Sequence, residues 1–432
     1  KASLQRVWLY CRDAQRRIGC GAEENNLMSY ILYFLISSAI LLIFADNLYS
    51  EIYGILTALS LSLIIVFLLA KKTYRWISYI LFFAISITSF FGYTEVLTGS
   101  HAVSDNFLFY GLSFYTASIA YLNSKRKLTL IDSLKVSNPL LIFTGPIALF
   151  VRPIAHRSVY QRILYFLPFS IIGIFYFQIV GAPLSAYMFL IHATDLVSAL
   201  TFAFIFEIFV YANFCGLSLI VYSISGILGY KLPLNFRQPF SATNVVEFWK
   251  GWHTSLSSVL KELFYTPARK VLGSFGALLL VYFSSAMWHG ITFNFLVWGV
   301  FHALCFYITV KVLKSNSSFK SLITFLVMIF GVVLGRLIFA DNNTSRLLEK
   351  LTFQYDGLNS FAQISSTPTV SKVALILGLI FVMGELLLRN NKFVKKRNYK
   401  HLRTPTAQLF LLGIIVLLAM NVGGDYAIYG QR

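Results

Sequence analysis

"RKVLGSFGALLLVYFSSAMWHG" runs from Arg269 to Gly290. After two cations, no charge interrupts it until His289. A helix rises about 1.5 Å per residue, so roughly twenty such residues cross a hydrocarbon core about 30 Å thick. Apolar runs of this kind recur at 27–48, 51–70, 74–97, 106–122, 138–151, 160–181, 184–211, 213–230, 292–314, 319–340, 370–390 and 405–424. The pattern predicts an all-α polytopic membrane protein with roughly eleven to thirteen transmembrane helices. Segments that are short or carry Gly and Pro read as tilted or re-entrant. No alternating ten-residue pattern suggests a membrane β-barrel.

Composition agrees. Of 432 residues, 57% are hydrophobic and 12% charged, with mean hydropathy +0.70. A soluble domain is about a quarter charged. The net charge of +19 does not point to nucleic acid, because basic residues in a polytopic protein gather in cytoplasmic loops. Four clusters mark that face: Lys71–Arg75, Lys125–Lys127, Lys261–Lys270 and Lys395–Arg403. Loops 98–105 and 341–369 are poor in cations and fit the outer face. The four cysteines form no CxxC pair, so neither a disulfide framework nor a metal site is indicated. Residues 1–26 are polar and basic, without a cleavable signal peptide, and read as a surface helix or a non-native remnant. Residues 27–432 read as a single membrane domain.

Residues 231–268 break the apolar pattern. "KLPLNFRQPF" has two prolines within seven residues and predicts an extended or turned segment. A helix from Asn244 to Thr266 follows. Asn244 is its N-cap and Glu247 completes a capping-box-like pair. Phe248, Trp252, Leu256, Val259, Leu260 and Leu263 form one apolar stripe. Such a helix lies along the membrane or dips into the protein.

Ionisable groups inside apolar spans are costly, so each is a functional candidate. The foremost is His289. His302 lies in the next span and His253 on the amphipathic helix. A backbone-bonded or packing histidine is the competing reading for all three. His192 with Asp195, Glu207 and Arg336 read as polar contacts between helices. No G-x-S-x-G, phosphate-binding glycine loop or HExxH is present, which leaves histidine as the best catalytic group. Three function classes stay open on the residues alone: an acyltransferase, a transporter or flippase with an intramembrane histidine proton relay, and a non-catalytic member of an export complex. The missing internal repeat counts against the transporter.

"NFRQPFSATNVVEFWKGWHTSLS" (235–257), followed by "MWHG" (287–290) and "VWGVFHA" (297–303), resembles the membrane-bound O-acyltransferase family, in its bacterial polysaccharide O-acetylase, alginate O-acetylase-like branch. "YGLSFYTASIAYLN" (110–123), "GPI" (145–147) and "VVLGRLIFADNN" (332–343) extend the likeness over about 105–360, the expected catalytic core. The sequence departs from the family pattern at "NFCGLSL" (213–219), where aspartates are expected, and at Lys250–Gly251, where arginines are expected.

The resemblance implies helices around a central channel and an acyl, most simply acetyl, transfer to a hydroxyl. It implies His289 and His253 as catalytic. Trp252, Ser255, Trp288, Asn235 and His302 would bind substrate. Lys261, Arg269 and Lys270 would dock the donor, an acyl-CoA or an acyl carrier thioester. No bound cofactor or metal is expected. The implied partners are membrane lipids, the thioester donor, and a glycan acceptor or a periplasmic acylation partner. The implied location is the bacterial cytoplasmic membrane.

Overall fold

A computed structural model describes residues 27–43, 129–140, 151–154, 157–190, 196–289, 293–314, 319–340, 364–387 and 404–419, with scattered positions between 52 and 84 and at 362. The crossings read at 51–70, 74–97, 106–122 and most of 138–151 lie outside these residues. So do His192, Asp195 and the basic clusters near positions 71, 125 and 395.

Among the described residues six helices are long and apolar enough to cross a membrane. The first of the described helices, α1 (Leu27–Ile43), is a shorter apolar one, and α2 (Leu130–Val136) is a single polar-capped segment. Next, α3 (Val159–Ile174) passes through a π-helical turn, Phe175–Gly181, into α4 (Ala182–Leu190). Ser158 starts α3 with a reciprocal cap, its side chain accepting from the Gln161 N–H while Gln161 accepts from Ser158 N–H. The long helix α5 (Leu196–Ile227) returns across the membrane. Three crossings were expected over 160–230, but two are found, Val159–Tyr187 and Leu196–Ile227. The reason is local. The π turn carries the chain past Gly181 and Pro183, and nothing at 211–213 interrupts the α5 hydrogen bonding.

Helices α3 and α5 touch backbone to backbone at Gly173 and Gly216. A Cβ on either would sit 2.7 Å from the other's carbonyl oxygen. This is the small-residue packing available to helices in lipid, where apolar burial alone does not drive association. A two-residue antiparallel bridge, β1 (Arg152–Pro153) with β2 (Tyr230–Lys231), ties the start of α3 to the end of α5.

The chain then re-enters the protein. A 3-10 turn (Pro239–Ser241) leads to α6 (Val245–Gly251) and α7 (Thr254–Leu260). A second π turn, Lys261–Tyr265, runs into α8 (Thr266–His289). Last come α9 (Phe293–Leu313), α10 (Lys320–Phe339), α11 (Thr369–Leu387) and α12 (Pro405–Ala419).

The expected continuous helix from Asn244 to Thr266 is therefore two helices. Trp252 is extended and His253 is left-handed (φ 46°, ψ 56°). Asn235 captures the new helix start: its carbonyl accepts from Thr254 N–H at 2.9 Å and its side chain from Ser255 N–H at 3.2 Å. Asn244 caps α6 as expected, accepting from Glu247 N–H at 3.0 Å. Glu247 reaches back to Thr243 rather than to Asn244, accepting from its N–H at 3.0 Å and its hydroxyl at 2.8 Å. The stripe from Phe248 to Leu263 is buried along its whole length, although the helix carrying it is broken.

Helix α8 also bends. Gly273 has φ 70° and ψ −175°, a region open essentially to glycine alone. A straight helix from Trp249 to Tyr282 would separate them by roughly 50 Å, yet their rings lie 5.9 Å apart. The chain therefore runs out through α7 to an exposed apex at 266–274 and folds back.

One buried cluster joins α4 and α5 to α6, α8, α9, α10 and α11; a second gathers α1, α2, α3, β2 and the end of α5. The outer surface is apolar. Val373, Ile376, Ile380, Met383 and Leu387 make an exposed stripe on α11, with Ile380 58% exposed. Facing lipid, such a stripe is at home.

Candidate functional site

Near the middle of α5, Glu207 is 3% exposed and pairs with Arg336 of α10. Tyr211, one turn on, is roughly 23 Å from either end of the helix. An isolated charge at such a depth is prohibitive, and pairing is what makes both tolerable. The Arg336 guanidinium also lies 4.7 Å over the Trp252 ring and 5.6 Å over the Phe339 ring. It thus joins the broken α6–α7 corner to the end of α10.

His289, at the end of α8, sits edge-to-face with Phe339 at 4.8 Å and with Trp298 at 5.8 Å, and near Phe295 at 6.1 Å. Trp298 in turn contacts His302 at 4.9 Å. His302 is also flanked by Trp249 at 5.2 Å and stacks with Tyr282 at 6.0 Å. An aromatic wall therefore separates the two histidines and fixes both rings.

His253 is 5% exposed, and both its ring nitrogens lack a hydrogen-bond partner. It packs on Phe214 at 5.6 Å and Phe236 at 6.4 Å. It stands just before the first residue of α7. His289 lies 36 positions further on. Arg336 links their surroundings, because its guanidinium covers both Trp252, which precedes His253, and Phe339, which packs on His289.

The remaining candidates fall into three places. Trp252 is buried at the centre, edge-to-face with Phe236 at 5.0 Å and stacked with Phe248 at 5.5 Å. Ser255 and Asn235 lie just behind His253. The Ser255 hydroxyl donates to Asn235 Oδ1 at 2.6 Å, while Asn235 Nδ2 has no partner. Lys261 follows α7, and Arg269 and Lys270 stand exposed on the apex. Trp288 falls on α8, with its side chain outside the described residues. No three of His, Cys, Asp and Glu among the described residues come together as a metal site would need.

Four contributors were not singled out in sequence: Trp298, Phe339, Tyr211 and Glu385. Glu385 of α11 accepts from the Tyr211 hydroxyl at 2.5 Å and from Phe240 N–H at 3.1 Å, pinning the re-entrant loop. An acid inside an apolar helix was the available signal. Asn213, where the family pattern has aspartate, donates to the Phe209 carbonyl of its own helix at 3.0 Å.

Residues 133–310 match the model of the membrane-bound O-acyltransferase family. That segment holds all the sequence-derived candidates and ends before Arg336 and Phe339. Over 98 residues the chain is 36% identical to a peptidoglycan O-acetyltransferase of Helicobacter pylori, covering 22% of this chain and 19% of that one. Over 190 residues it is 28% identical to a probable alginate O-acetylase of Pseudomonas aeruginosa, covering 41% and 35%. Over 148 residues it is 25% identical to a teichoic acid D-alanyltransferase of Bacillus subtilis, covering 31% and 38%. The chain thus spans about a fifth to two fifths of the length of these relatives.

Proposed function

We propose that this multi-pass membrane protein, whose residues 133–310 match the model of the membrane-bound O-acyltransferase family, is an O-acyltransferase of bacterial glycans. Acetyl is the expected acyl group, and a cell-surface polysaccharide or a periplasmic acylation partner is the acceptor. The relatives' names, peptidoglycan, alginate and teichoic acid modifiers, support a polymeric hydroxyl acceptor. The observation that carries the reading is the buried His253, both its nitrogens unpartnered, at a corner held by Arg336, whose guanidinium also covers the Phe339 ring that packs on His289.

In this reading the donor is an acyl thioester, on coenzyme A or a carrier protein, and enters from the basic face marked by Lys261, Arg269 and Lys270. The acceptor hydroxyl enters from the opposite face. Neutral His289 takes the hydroxyl proton as the oxygen attacks the thioester carbonyl. The carbon–sulfur bond breaks, the proton passes to the departing thiolate, and an ester is left on the acceptor. His253 donates a hydrogen bond to the carbonyl oxygen, and its two unpartnered ring nitrogens fit that role. Trp252, Trp298 and Phe339 exclude water that would otherwise hydrolyse the thioester. His302, behind Trp298, orients that wall, and Asn235 with Ser255 orients His253.

The test is transfer of a labelled acetyl group from a thioester donor in proteoliposomes. His289→Ala should lose at least about a hundredfold in turnover, the usual contribution of a general base, while inserting and purifying normally. His253→Ala should lose less, because water can replace a hydrogen-bond donor. Turnover of His289→Ala near that of the wild type would overturn the mechanism.

A further inference from the structure

Far from the histidines, a cavity of about 260 Å³ opens where α1 meets the start of α3 and the end of α5. Ser29, Tyr30 and Tyr33 of α1 line one side, and Arg162 and Tyr230 the other. The Arg162 Nε is enclosed and has no hydrogen-bond partner, and its guanidinium makes no ion pair among the described residues. Gly229, at φ 102°, leaves the space that the guanidinium fills; a Cβ there would lie 2.6 Å from Arg162 Nη1. Among the described residues no carboxylate lines the cavity. The nearby Asp132 is already engaged by the Thr129 N–H and hydroxyl. A second cation, Lys135, stands 4.7 Å over the Tyr30 ring.

The Nε of this guanidinium is shut off from water while its Nη edge stays open to the cavity, so an anion there would compensate the lost hydration. Its planar fork matches the oxygens of a phosphate. Ser29, exposed at the mouth, is hydrogen-bonded to Tyr230 on the opposite wall. The cavity falls short of the roughly 300–1,000 Å³ that holds a drug-sized ligand, so it admits a headgroup and not a whole thioester donor. Its surroundings say where the rest of the ligand goes. Met28, Leu32 and Leu35 on α1 are exposed, as are Val159 and Tyr160 at the start of α3. Of these, Leu32 lines the cavity itself, and Met28 and Leu35 flank it on the same helix.

We propose that this cavity binds the phosphate of an anionic membrane lipid, with Arg162 as its counter-ion and the acyl chains lying along α1. The site is separate from the acyl-transfer centre. It belongs to the second buried cluster, and Ser225, which shares a hydrogen bond with Tyr33, lies roughly 20 Å along α5 from Tyr211.

The experiment uses the full chain in detergent, titrated with dioctanoyl phosphatidylglycerol, dioctanoyl phosphatidylcholine or inorganic phosphate, with the melting midpoint as readout. The anionic lipid should raise the midpoint saturably and the zwitterionic lipid should not. Arg162→Gln should weaken the apparent affinity about tenfold or more, the usual effect of losing a charge-assisted hydrogen bond. Arg162→Lys, which keeps the charge without the fork, should fall between. Wild-type response in Arg162→Gln overturns the site. An equal shift from inorganic phosphate alone overturns the lipid as occupant. Should Arg162→Gln fail to fold, Ser29→Leu narrows the mouth at unchanged charge and should lose the same response; an undiminished response overturns the proposal.

Discussion

Arg336 and Glu207 hold each other inside the membrane core, and Arg336 also covers the faces of Trp252 and Phe339. Removing one partner of such a pair leaves the other buried and uncompensated, which costs about 3–5 kcal/mol. Glu207→Gln and Arg336→Met should each lower the melting midpoint in detergent sharply. The double variant should melt above at least one of the singles, because no stranded charge remains. Additive losses would show that the two residues act independently. Because Phe339 contacts His289, Arg336→Met should also reduce acyl transfer at temperatures where the protein stays folded. Activity equal to the wild type would separate the ion pair from the site.

At the scale of the element, the run from α7 through α8 depends on Gly273. Nothing lies within 4 Å of a Cβ placed there, so substitution acts through the backbone alone. Its φ and ψ are essentially restricted to glycine, and holding another residue there costs of order 1–3 kcal/mol. Gly273→Ala should lower the melting midpoint. It should also reduce turnover, because relaxation toward helix would move the His289 arm relative to His253. Gly276→Ala, three residues on in ordinary helix, controls for composition, although its Cβ would press on the Leu272 side chain at 2.8 Å. A midpoint unchanged in Gly273→Ala would show that the reversal does not need this geometry.

For the whole molecule, two separate surfaces gather cations. One is the β1–β2 end, with Arg157 and Lys231 and with Arg162 in the cavity wall beside them. The other is the α8 apex with the α9–α10 ends, carrying Arg269, Lys270, Lys311, Lys314 and Lys320. Phe275 and Tyr307 pack 4.8 Å apart, which places the apex and the end of α9 on one side. The chain leaves the β1–β2 end, reaches Tyr211 through Phe240 and runs on to the apex. Under the positive-inside rule both surfaces should share the cytoplasmic face. Arg157→Cys and Lys270→Cys should both resist a membrane-impermeant thiol reagent in intact cells and react after permeabilisation. Labelling of one and not the other from outside would refute the shared face.

The apolar spans read at 269–289, 292–314, 319–340 and 370–390 and the stripe from Phe248 to Leu263 were legible because hydrophobic length and period follow from local sequence, whereas the three spans read over 160–230 proved to be two. The histidines were legible as candidates because an ionisable group in an apolar run is costly wherever the chain goes. Glu207 and Arg336 announced a polar contact for the same reason, but not that they were each other's partner. Sequence carried no mark of the break at His253. Helical periodicity continues through it, and the break comes from Asn235, eighteen positions earlier, which supplies the hydrogen bonds that start α7. Nor could spacing show the fold-back at Gly273, since a helical reading sets His253 and His289 roughly 54 Å apart. Sequence by itself determined that this chain lives in a membrane, and which residues are expensive there. Tertiary structure decided which of them meet, because contacts between distant segments depend on bends and close approaches that local propensity does not encode.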